Sequence, residues 1–352
     1  MESIKANLVD LHQRKIYAAE VFFADGIIQS INPINETVTG YILPGFVDAH
    51  VHIESSLLVP SEFARLAVRQ GSVATVSDPH EIANVLGMQG VEYMIANGKQ
   101  TPFKFFFGAP SCVPATVFET AGDEISVADI EQFMQRDDVL YLAEMMNFPG
   151  VIYDDAQVHA KIEIAHKYQK PVDGHAPGLT GEALRKYLAA GITTDHECFT
   201  LPEAVEKLEL GVHVLIREGS AARNFDALIP ALKTHPKQIM FCSDDKHPDS
   251  FLLGHINKIC ARAVALGYDV FDVLTAACIN PVLHYKLPVG MLQAGQSADF
   301  ILVNNLTDFD VQQTFIYGKC VFNQGEVLWK AVSAAVPNKF AITTHTAADF
   351  AY

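Results

Sequence analysis

The feature that most constrains the fold of this chain is an alternation of short apolar segments and amphipathic segments through its middle. Eight apolar segments are typical of buried strands: 45–52, 73–77, 104–107, 139–144, 172–175, 193–196, 212–217 and 238–244. Amphipathic stretches at 62–70, 82–97, 156–169 and 201–210 predict helices between them. A strand–helix unit repeated in this way predicts an α/β fold, a (β/α)8 barrel of the TIM type. A doubly wound open sheet is the alternative, but no G-x-G-x-x-G or P-loop sequence follows any of the strands.

The two ends of the chain have a different sequence pattern, in which short β-like segments are separated by turn residues. Residues 15–23 predict a strand that ends in the hairpin signal Ala24-Asp25-Gly26, and 298–303 and 314–317 are β-like as well. We therefore predict a small β-sandwich-like domain made of residues 1–43 plus 290–352. The barrel domain would be 44–289. Residues 331–352 are expected to form a tail, either docked or loose.

Charge and composition exclude several classes of protein. The formal net charge of −16 argues against a nucleic-acid partner. The start of the chain lacks the pattern of a signal peptide, and no run of 18 apolar residues predicts a membrane span. The six cysteines are scattered without a C-x-x-C pair, which indicates reduced thiols rather than disulfides or a thiolate zinc site. A cytoplasmic protein without a membrane partner is expected.

Metal-competent residues occur at the carboxyl ends of the predicted strands. His50 and His52 form an H-x-H pair, whose side chains share one face of an extended strand. The others are Glu144, His175, His196 and Asp244 on strands four, five, six and eight. These strand ends form one rim of a barrel, so the six side chains should converge there. Four imidazoles and two carboxylates suit two divalent ions that share a carboxylate. For each residue the alternative is a buried histidine bonded to a carbonyl, or a carboxylate that caps a helix.

Polar loops follow the same strands and are candidates for substrate contacts. The segment DPHE (78–81) follows strand two, REGS (217–220) follows strand seven, and SCVP (111–114) follows strand three. Asp195 adjoins His196 and could orient that ligand. Each also has a structural alternative. The 78–81 segment could be a helix N-terminus with acidic residues in its first turn, and 217–220 a solvated salt-bridged turn. The 111–114 segment could be a simple turn, and Asp195 a helix cap.

Seven strings in this chain resemble a known family. PGFVDAHVHIESS (44–56) resembles the first barrel strand of the amidohydrolase superfamily. DPHEIANV (78–85), EMMN (144–147), DGHAPG (173–178), DHEC (195–198), REGS (217–220) and SDD (243–245) resemble the bacterial adenine deaminase family, in the same order from about residue 20 to 330. Typical members continue into a further C-terminal domain, so this chain is expected to be a short form whose substrate could differ. Glu144 stands where dihydroorotase-like and hydantoinase-like relatives have a modified lysine.

The resemblance implies a chemistry and a role for each residue. It implies two divalent metal ions, manganese or iron with zinc also suitable, and a small-molecule purine substrate, adenine, converted to hypoxanthine and ammonia. His50, His52, Glu144, His175, His196 and Asp244 would bind the metal. Asp244 would act first as general base and then as general acid, and Glu81 or His80 would serve N1 of the purine. Arg217, Glu218 and Ser111 would contact the purine edge.

Three alternatives to this reading stay open. One is an amidohydrolase that acts on a cyclic amide, a second is one that acts on another amino-purine, and the third is a non-catalytic metal-binding relative. A homodimer is expected, because the shortened C-terminus would leave apolar surface exposed.

Overall fold

The computed structural model describes residues 1–116, 118–338 and 343–351. Its strands are β1 Glu2–Asp10, β2 Lys15–Ala24, β3 Ile27–Pro33, β4 Tyr41–Pro44, β5 Phe46–Val51, β6 Ser72–Ser77, β7 Lys104–Ala109, β8 Val139–Met145, β9 Val172–Gly174, β10 Thr194–Asp195, β11 His213–Arg217, β12 Ile239–Cys242, β13 Phe300–Val303, β14 Val311–Ile316, β15 Lys319–Asn323 and β16 Glu326–Val327. Every one of the eight predicted barrel strands coincides with one of β5 to β12.

The helices alternate with these strands. They are α1 Pro60–Ala67, α2 His80–Leu86, α3 Met88–Gly98, α4 Val127–Met134, α5 Phe148–Ile152, α6 Ala156–Lys167, α7 Gly181–Ala189, α8 Leu201–Glu209, α9 Phe225–Leu228, α10 Pro248–Leu253, α11 Ile256–Ala265, α12 Val270–Cys278 and α13 Asn280–Tyr285. Short 3₁₀ helices occur at Ile53–Ser56, Val68–Gln70, Ile229–Lys233 and Ala347–Phe350. Across the ranges that the structure describes, no helix is both long and apolar enough to cross a membrane.

Strands β5 to β12 run parallel in two groups that meet at both edges. One sheet has the order β5-β6-β7-β8-β9 and the other the order β10-β11-β12. A parallel bridge between Val172 and Ile192 joins the groups on one side, and a parallel bridge between Val51 and Asp244 joins them on the other. Every residue of β5 and β6 is buried, as expected of parallel strands covered on both faces. This arrangement supports the prediction of a TIM-type barrel.

A third sheet combines both ends of the chain. Its eight strands have the order β16-β15-β14-β13-β4-β1-β2-β3, in which β4 pairs with β1 in parallel and with β13 antiparallel. Buried aromatic rings link the two ends, since the centroid of Phe23 is 5.4 Å from that of Phe300. The sheet therefore contains the β-rich ends that the sequence indicated. Its description as a separate, sandwich-like domain stays a prediction.

The prediction of one helix over 82–97 is wrong, because two helices occupy this region. Helix α2 ends at Leu86 and α3 begins at Met88. Between them Gly87 has φ 59° and ψ −142°, a conformation that side chains rarely adopt, and a Cβ there would lie 2.1 Å from Asp123 Oδ2. The break makes α2 a short helix of its own that begins directly after the 78–79 loop.

Part of the tail is docked against the helices. The Tyr93 hydroxyl of α3 donates to the Ala335 carbonyl at 2.8 Å, and Arg65 Nη1 of α1 donates to the Trp329 carbonyl at 2.6 Å. The first contact holds the predicted tail at Ala335, whereas Trp329 lies just before the tail begins. The predicted tail also includes residues 339–342 and 352, which lie outside the described residues.

Candidate metal centre

Each of the six metal-competent side chains lies at or just after the carboxyl end of a barrel strand. Five are almost fully buried: His50, His52, Glu144, His196 and Asp244 have exposures of 1 to 3%. The His175 side chain is more open, with 25% of its surface exposed. The backbone places Asp244 beside the H-x-H pair, because its N–H donates to the His50 carbonyl at 2.9 Å. The structure therefore brings together all six residues predicted from the sequence.

Glu144 lies in the middle of the cluster, with one oxygen toward His52 and the other toward His175 and His196. Its Oε1 is 3.3 Å from His52 Nε2. Its Oε2 is 2.6 Å from His175 Nδ1 and 3.1 Å from His196 Nε2. A carboxylate with one oxygen directed to each of two sets of nitrogen donors has the arrangement of a bridging ligand.

The H-x-H pair converges on Asp244. His50 Nε2 and His52 Nε2 are 3.1 Å apart, and they lie 3.5 Å and 3.4 Å from Asp244 Oδ1. His52 Nδ1 is 3.0 Å from the Asp78 carbonyl oxygen. Because a carbonyl can only accept, this contact keeps the proton on Nδ1 and leaves the Nε2 lone pair free to bind a cation. The donor atoms present therefore fit divalent metal ions.

The electrostatics keep the two carboxylates ionised. Burial alone would raise the pKa of Glu144, but the charge of His196 and the hydrogen bond to His175 outweigh it and hold that pKa well below its usual range. The pKa of Asp244 is held low in the same way, against burial, by its hydrogen bonds to His50 and His52. At His196 the charge of Glu144 overcomes burial and raises the pKa to about 9. A bound cation would take the place of that proton.

Arg217 also reaches this centre, but it contacts carboxylates. Its Nη1 donates to Asp244 Oδ2 at 2.7 Å, and its Nη2 donates to Glu197 Oε2 at 2.8 Å. Glu197 Oε1 lies 3.5 Å from His196 Nε2. The sequence reasoning missed Glu197, although its position directly after His196 at a strand end was the available signal.

His80 and Glu81 approach the centre from the first turn of α2. His80 Nδ1 is 3.1 Å from Asp78 Oδ2 and 3.3 Å from Glu144 Oε1. Glu81 Oε2 is 3.5 Å from His52 Nδ1, and the Glu81 side chain keeps 35% of its surface exposed. Glu81 can therefore meet both the buried cluster and a molecule that enters from solvent.

Ser111 and Glu218, which were predicted to contact substrate, have other partners. The buried Ser111 hydroxyl donates to the Glu144 backbone carbonyl at 2.5 Å. The Glu218 carboxylate accepts from Arg262 Nη1 at 3.0 Å and belongs to none of the metal-competent groups found among the described residues. Their roles toward a substrate stay predictions.

Comparison with known proteins identifies the family. The sequence profile of the Amidohydrolase family matches residues 41–321, which is most of the chain. The chain belongs to the amidohydrolase family. Solved structures agree in fold: this amidohydrolase resembles a beta-aspartyl dipeptidase from Fervidobacterium islandicum AW-1, with a TM-score of 0.66 and 17% identity over 92% of this chain and 96% of that one. It also resembles an N-acetyl-D-glucosamine-6-phosphate deacetylase from Mycobacterium smegmatis, with a TM-score of 0.68 and 15% identity over 92% and 100%.

Curated relatives are much closer to this amidohydrolase in sequence. It is 55% identical to a protein named adenine deaminase from Salinibacter ruber over 99% of this chain and 64% of the relative. It is 52% identical to an adenine deaminase from Borreliella burgdorferi over 99% of this chain and 65% of that relative. The chain thus spans slightly less than two thirds of the length of these relatives.

Proposed function

We propose that this amidohydrolase catalyses the hydrolysis of adenine to hypoxanthine and ammonia. The observation that carries the proposal is the position of Glu144 between two sets of histidine donors, which supports a two-metal hydrolytic site. The choice of adenine is supported by the 55% and 52% identity to relatives that bear the name adenine deaminase.

We propose a place for each ion among these donors. His50 and His52 would hold one ion and His175 and His196 the other, with Glu144 between them and Asp244 beside the first. When bound, the two ions lower the pKa of water from about 15.7 to about 7 and so supply a nucleophile at neutral pH. Manganese is our first choice, although imidazole and carboxylate donors also suit iron and zinc.

Asp244 is proposed to move the protons. Its Oδ1 is the oxygen that faces the two imidazoles, while its Oδ2 is bound by Arg217. Oδ1 would accept a proton as water adds to C6 of the purine. It would then deliver that proton to the amino group at C6, which leaves as ammonia. One water is consumed for each hypoxanthine and ammonia formed.

Addition at C6 places electrons on the purine ring, which requires a proton or a strong hydrogen bond at N1. Glu81, which lies near the cluster and is partly exposed, is proposed to supply it. Burial would raise the pKa of Glu81, but the charge of His52 outweighs it and lowers that pKa, so the ionised carboxylate would take up the second proton of the added water and pass it to N1. His80 is the alternative. It sits on the same turn, and the charge of Asp78 overcomes burial and raises its pKa to about 10.

We also propose a domain organisation, an oligomeric state and a cellular compartment for this amidohydrolase. Residues 44–289 would form the (β/α)8 barrel domain, with the sheet from the two chain ends as a small separate domain. Two copies would associate and cover exposed apolar side chains such as Leu252 and Leu253. The six free cysteines suit a reducing cytoplasm. The net charge of −16 opposes binding to nucleic acid or to an anionic membrane surface.

The experiment that tests the function measures ammonia release from adenine by manganese-loaded protein, with a metal count on the same sample. The proposal expects turnover together with two ions per chain. If adenine is not turned over, release of ammonia from another amino-purine or ring opening of a cyclic amide would show that the site catalyses a different amidohydrolase reaction. Bound metal without turnover of any of these compounds would favour a non-catalytic relative.

A further inference from the structure

A completely buried lysine lies behind one half of the proposed metal centre. The Lys207 side chain, on α8, has no exposed surface. Its Nζ donates to the Ala176 carbonyl at 2.8 Å, to Asp195 Oδ2 at 2.9 Å and to Glu203 Oε1 at 2.8 Å. A buried ammonium is tolerated only when it is paired and fully hydrogen-bonded, and these three acceptors satisfy its three donors.

Two of the three acceptors, Ala176 and Asp195, are direct chain neighbours of His175 and His196. Ala176 directly follows His175 in the chain, and Asp195 directly precedes His196. One ammonium group therefore links the backbone carbonyl that follows His175 to the side chain of the residue that precedes His196. These are the two histidines that face Glu144 Oε2.

Glu203 extends the same connection from α8. Its Oε1 accepts the Gly178 N–H at 2.9 Å, and its Oε2 accepts the Phe199 N–H at 3.1 Å. Asp195 contributes from the second loop, where its Oδ1 accepts the Glu197 N–H at 2.7 Å. The described contacts of Lys207 and Glu203 thus fix the loops after β9 and β10.

The other half of the centre is held by a different device. His50, His52 and Asp244 are aligned by backbone hydrogen bonds between β5 and the segment after β12. We propose that Lys207 is a positioning residue for the ion held by His175 and His196. Loss of Lys207 would lower the affinity for this ion and leave the affinity for the other ion unchanged. The inference rests on the proposed two-metal function.

The chain offers a matched control. Lys104 is also buried, with 3% of its side chain exposed, and its Nζ donates to Asp299 Oδ2 at 2.5 Å and to the Pro288 carbonyl at 2.8 Å. It lies at the first residue of β7, whereas the metal-competent residues lie at the carboxyl ends of the strands. Replacing either lysine by methionine removes one buried charge that has three hydrogen-bond acceptors. Lys207 has two carboxylates and one carbonyl as acceptors, whereas Lys104 has one carboxylate, one carbonyl and the Ser297 hydroxyl.

The experiment titrates metal-free full-length protein with Mn²⁺ by calorimetry and counts the ions retained after gel filtration. Circular dichroism checks the fold of each variant. Wild type is expected to bind two ions. Lys207→Met should keep one tight ion and bind the second about 10- to 100-fold more weakly, the usual effect of losing a group that orients a ligand. Lys104→Met should bind both ions normally, although its unfolding temperature falls.

Each other outcome is decisive. The inference would be overturned if Lys207→Met bound both ions with wild-type affinity, or if its affinity for both ions fell equally. It would also be overturned if Lys104→Met lost the same ion. If Lys207→Met does not fold, Glu203→Gln decides, since it keeps the lysine but removes its nearest charge partner. An unchanged second ion in that variant would also overturn the inference. Fewer than two ions in wild type would instead contradict the proposed function, a failure visible before any substitution is made.

Discussion

Arg217 binds only one of the two oxygens of the Asp244 carboxylate, so the two oxygens have different partners. Arg217 Nη1 binds Oδ2 at 2.7 Å, and Oδ1 is left facing His50 and His52 at 3.5 Å and 3.4 Å. Arg217 is held in turn by Glu197 through both terminal nitrogens. The arginine therefore orients the proposed proton carrier, and its predicted contact with the purine stays a prediction.

Replacing Arg217 by methionine should mainly lower kcat, by about a hundredfold or more, because an unfixed Asp244 transfers protons poorly. KM for adenine should change much less. Steady-state kinetics with adenine measure both constants. Arg262→Met is the control: Arg262 pairs with Glu218 nearer the surface, where ion pairs contribute little, so activity should stay near wild type. A raised KM with unchanged kcat would restore Arg217 as a substrate contact.

Replacing Asp244 and replacing Glu144 should have different effects on metal binding and activity. Asp244→Asn keeps the shape and an oxygen of the side chain, so the protein should retain metal and lose kcat by orders of magnitude. Glu144→Ala removes both oxygens that face the histidines, so metal and activity should be lost together. Metal counts and turnover on the same samples measure this. Near-normal turnover in Asp244→Asn would remove Asp244 as the base.

Glu81→Gln should lower kcat/KM for adenine by about a hundredfold while the metal count stays the same. The reason is that glutamine cannot pass a proton to N1 of the purine. The same kinetics on His80→Gln distinguish the two candidates on this turn. An unaltered value in Glu81→Gln together with a loss in His80→Gln would assign the role to His80.

Stability should fall in acid because of His284, which contacts Thr193 and His213 at the amino-terminal ends of β10 and β11. Burial, aided by the nearby His213, lowers the pKa of His284 from 6.5 to about 3. Below pH 6.5 the unfolded chain takes up a proton that the folded protein refuses until about pH 3, so the free energy of unfolding falls as the pH drops through that window.

Urea unfolding at pH 7.5 and pH 5 measures this dependence. The fall in unfolding free energy should be smaller in His284→Gln than in wild type. His12→Gln, at an exposed position, should behave as wild type does. An equal fall in His284→Gln and wild type would contradict the assignment.

The parts of the fold that follow from period and topology were accessible from the sequence. The eight strands were located because buried parallel strands are continuous apolar runs. The convergence of His50, Glu144 and His196 follows from the rule that all strand ends of a barrel share one rim. The break at Gly87 was missed because the apolar spacing of a helix continues across it, and only the backbone conformation of the glycine interrupts the hydrogen bonds.

Side-chain pairing between loops was not accessible in this way. Glu197, Arg217 and Lys207 find partners across different strands and helices, and local spacing does not encode those pairs. The exception is Glu203 with Lys207, four residues apart on α8, a spacing typical of helical ion pairs. Glu218 directly follows Arg217, the last residue of β11. Successive residues of a strand point to opposite faces, so Glu218 would not be expected to share the direction of Arg217. The same rule, applied beyond the strand end, would have argued against grouping the two as substrate contacts.

Two divalent ions are proposed to occupy this cluster, and anomalous diffraction from crystals soaked in Mn²⁺ tests their presence most directly. Data collected at the manganese absorption edge should give two strong peaks in the pocket. One should contact His50 and His52, the other His175 and His196, with Glu144 between them. A single peak, or none among these side chains, would contradict the account.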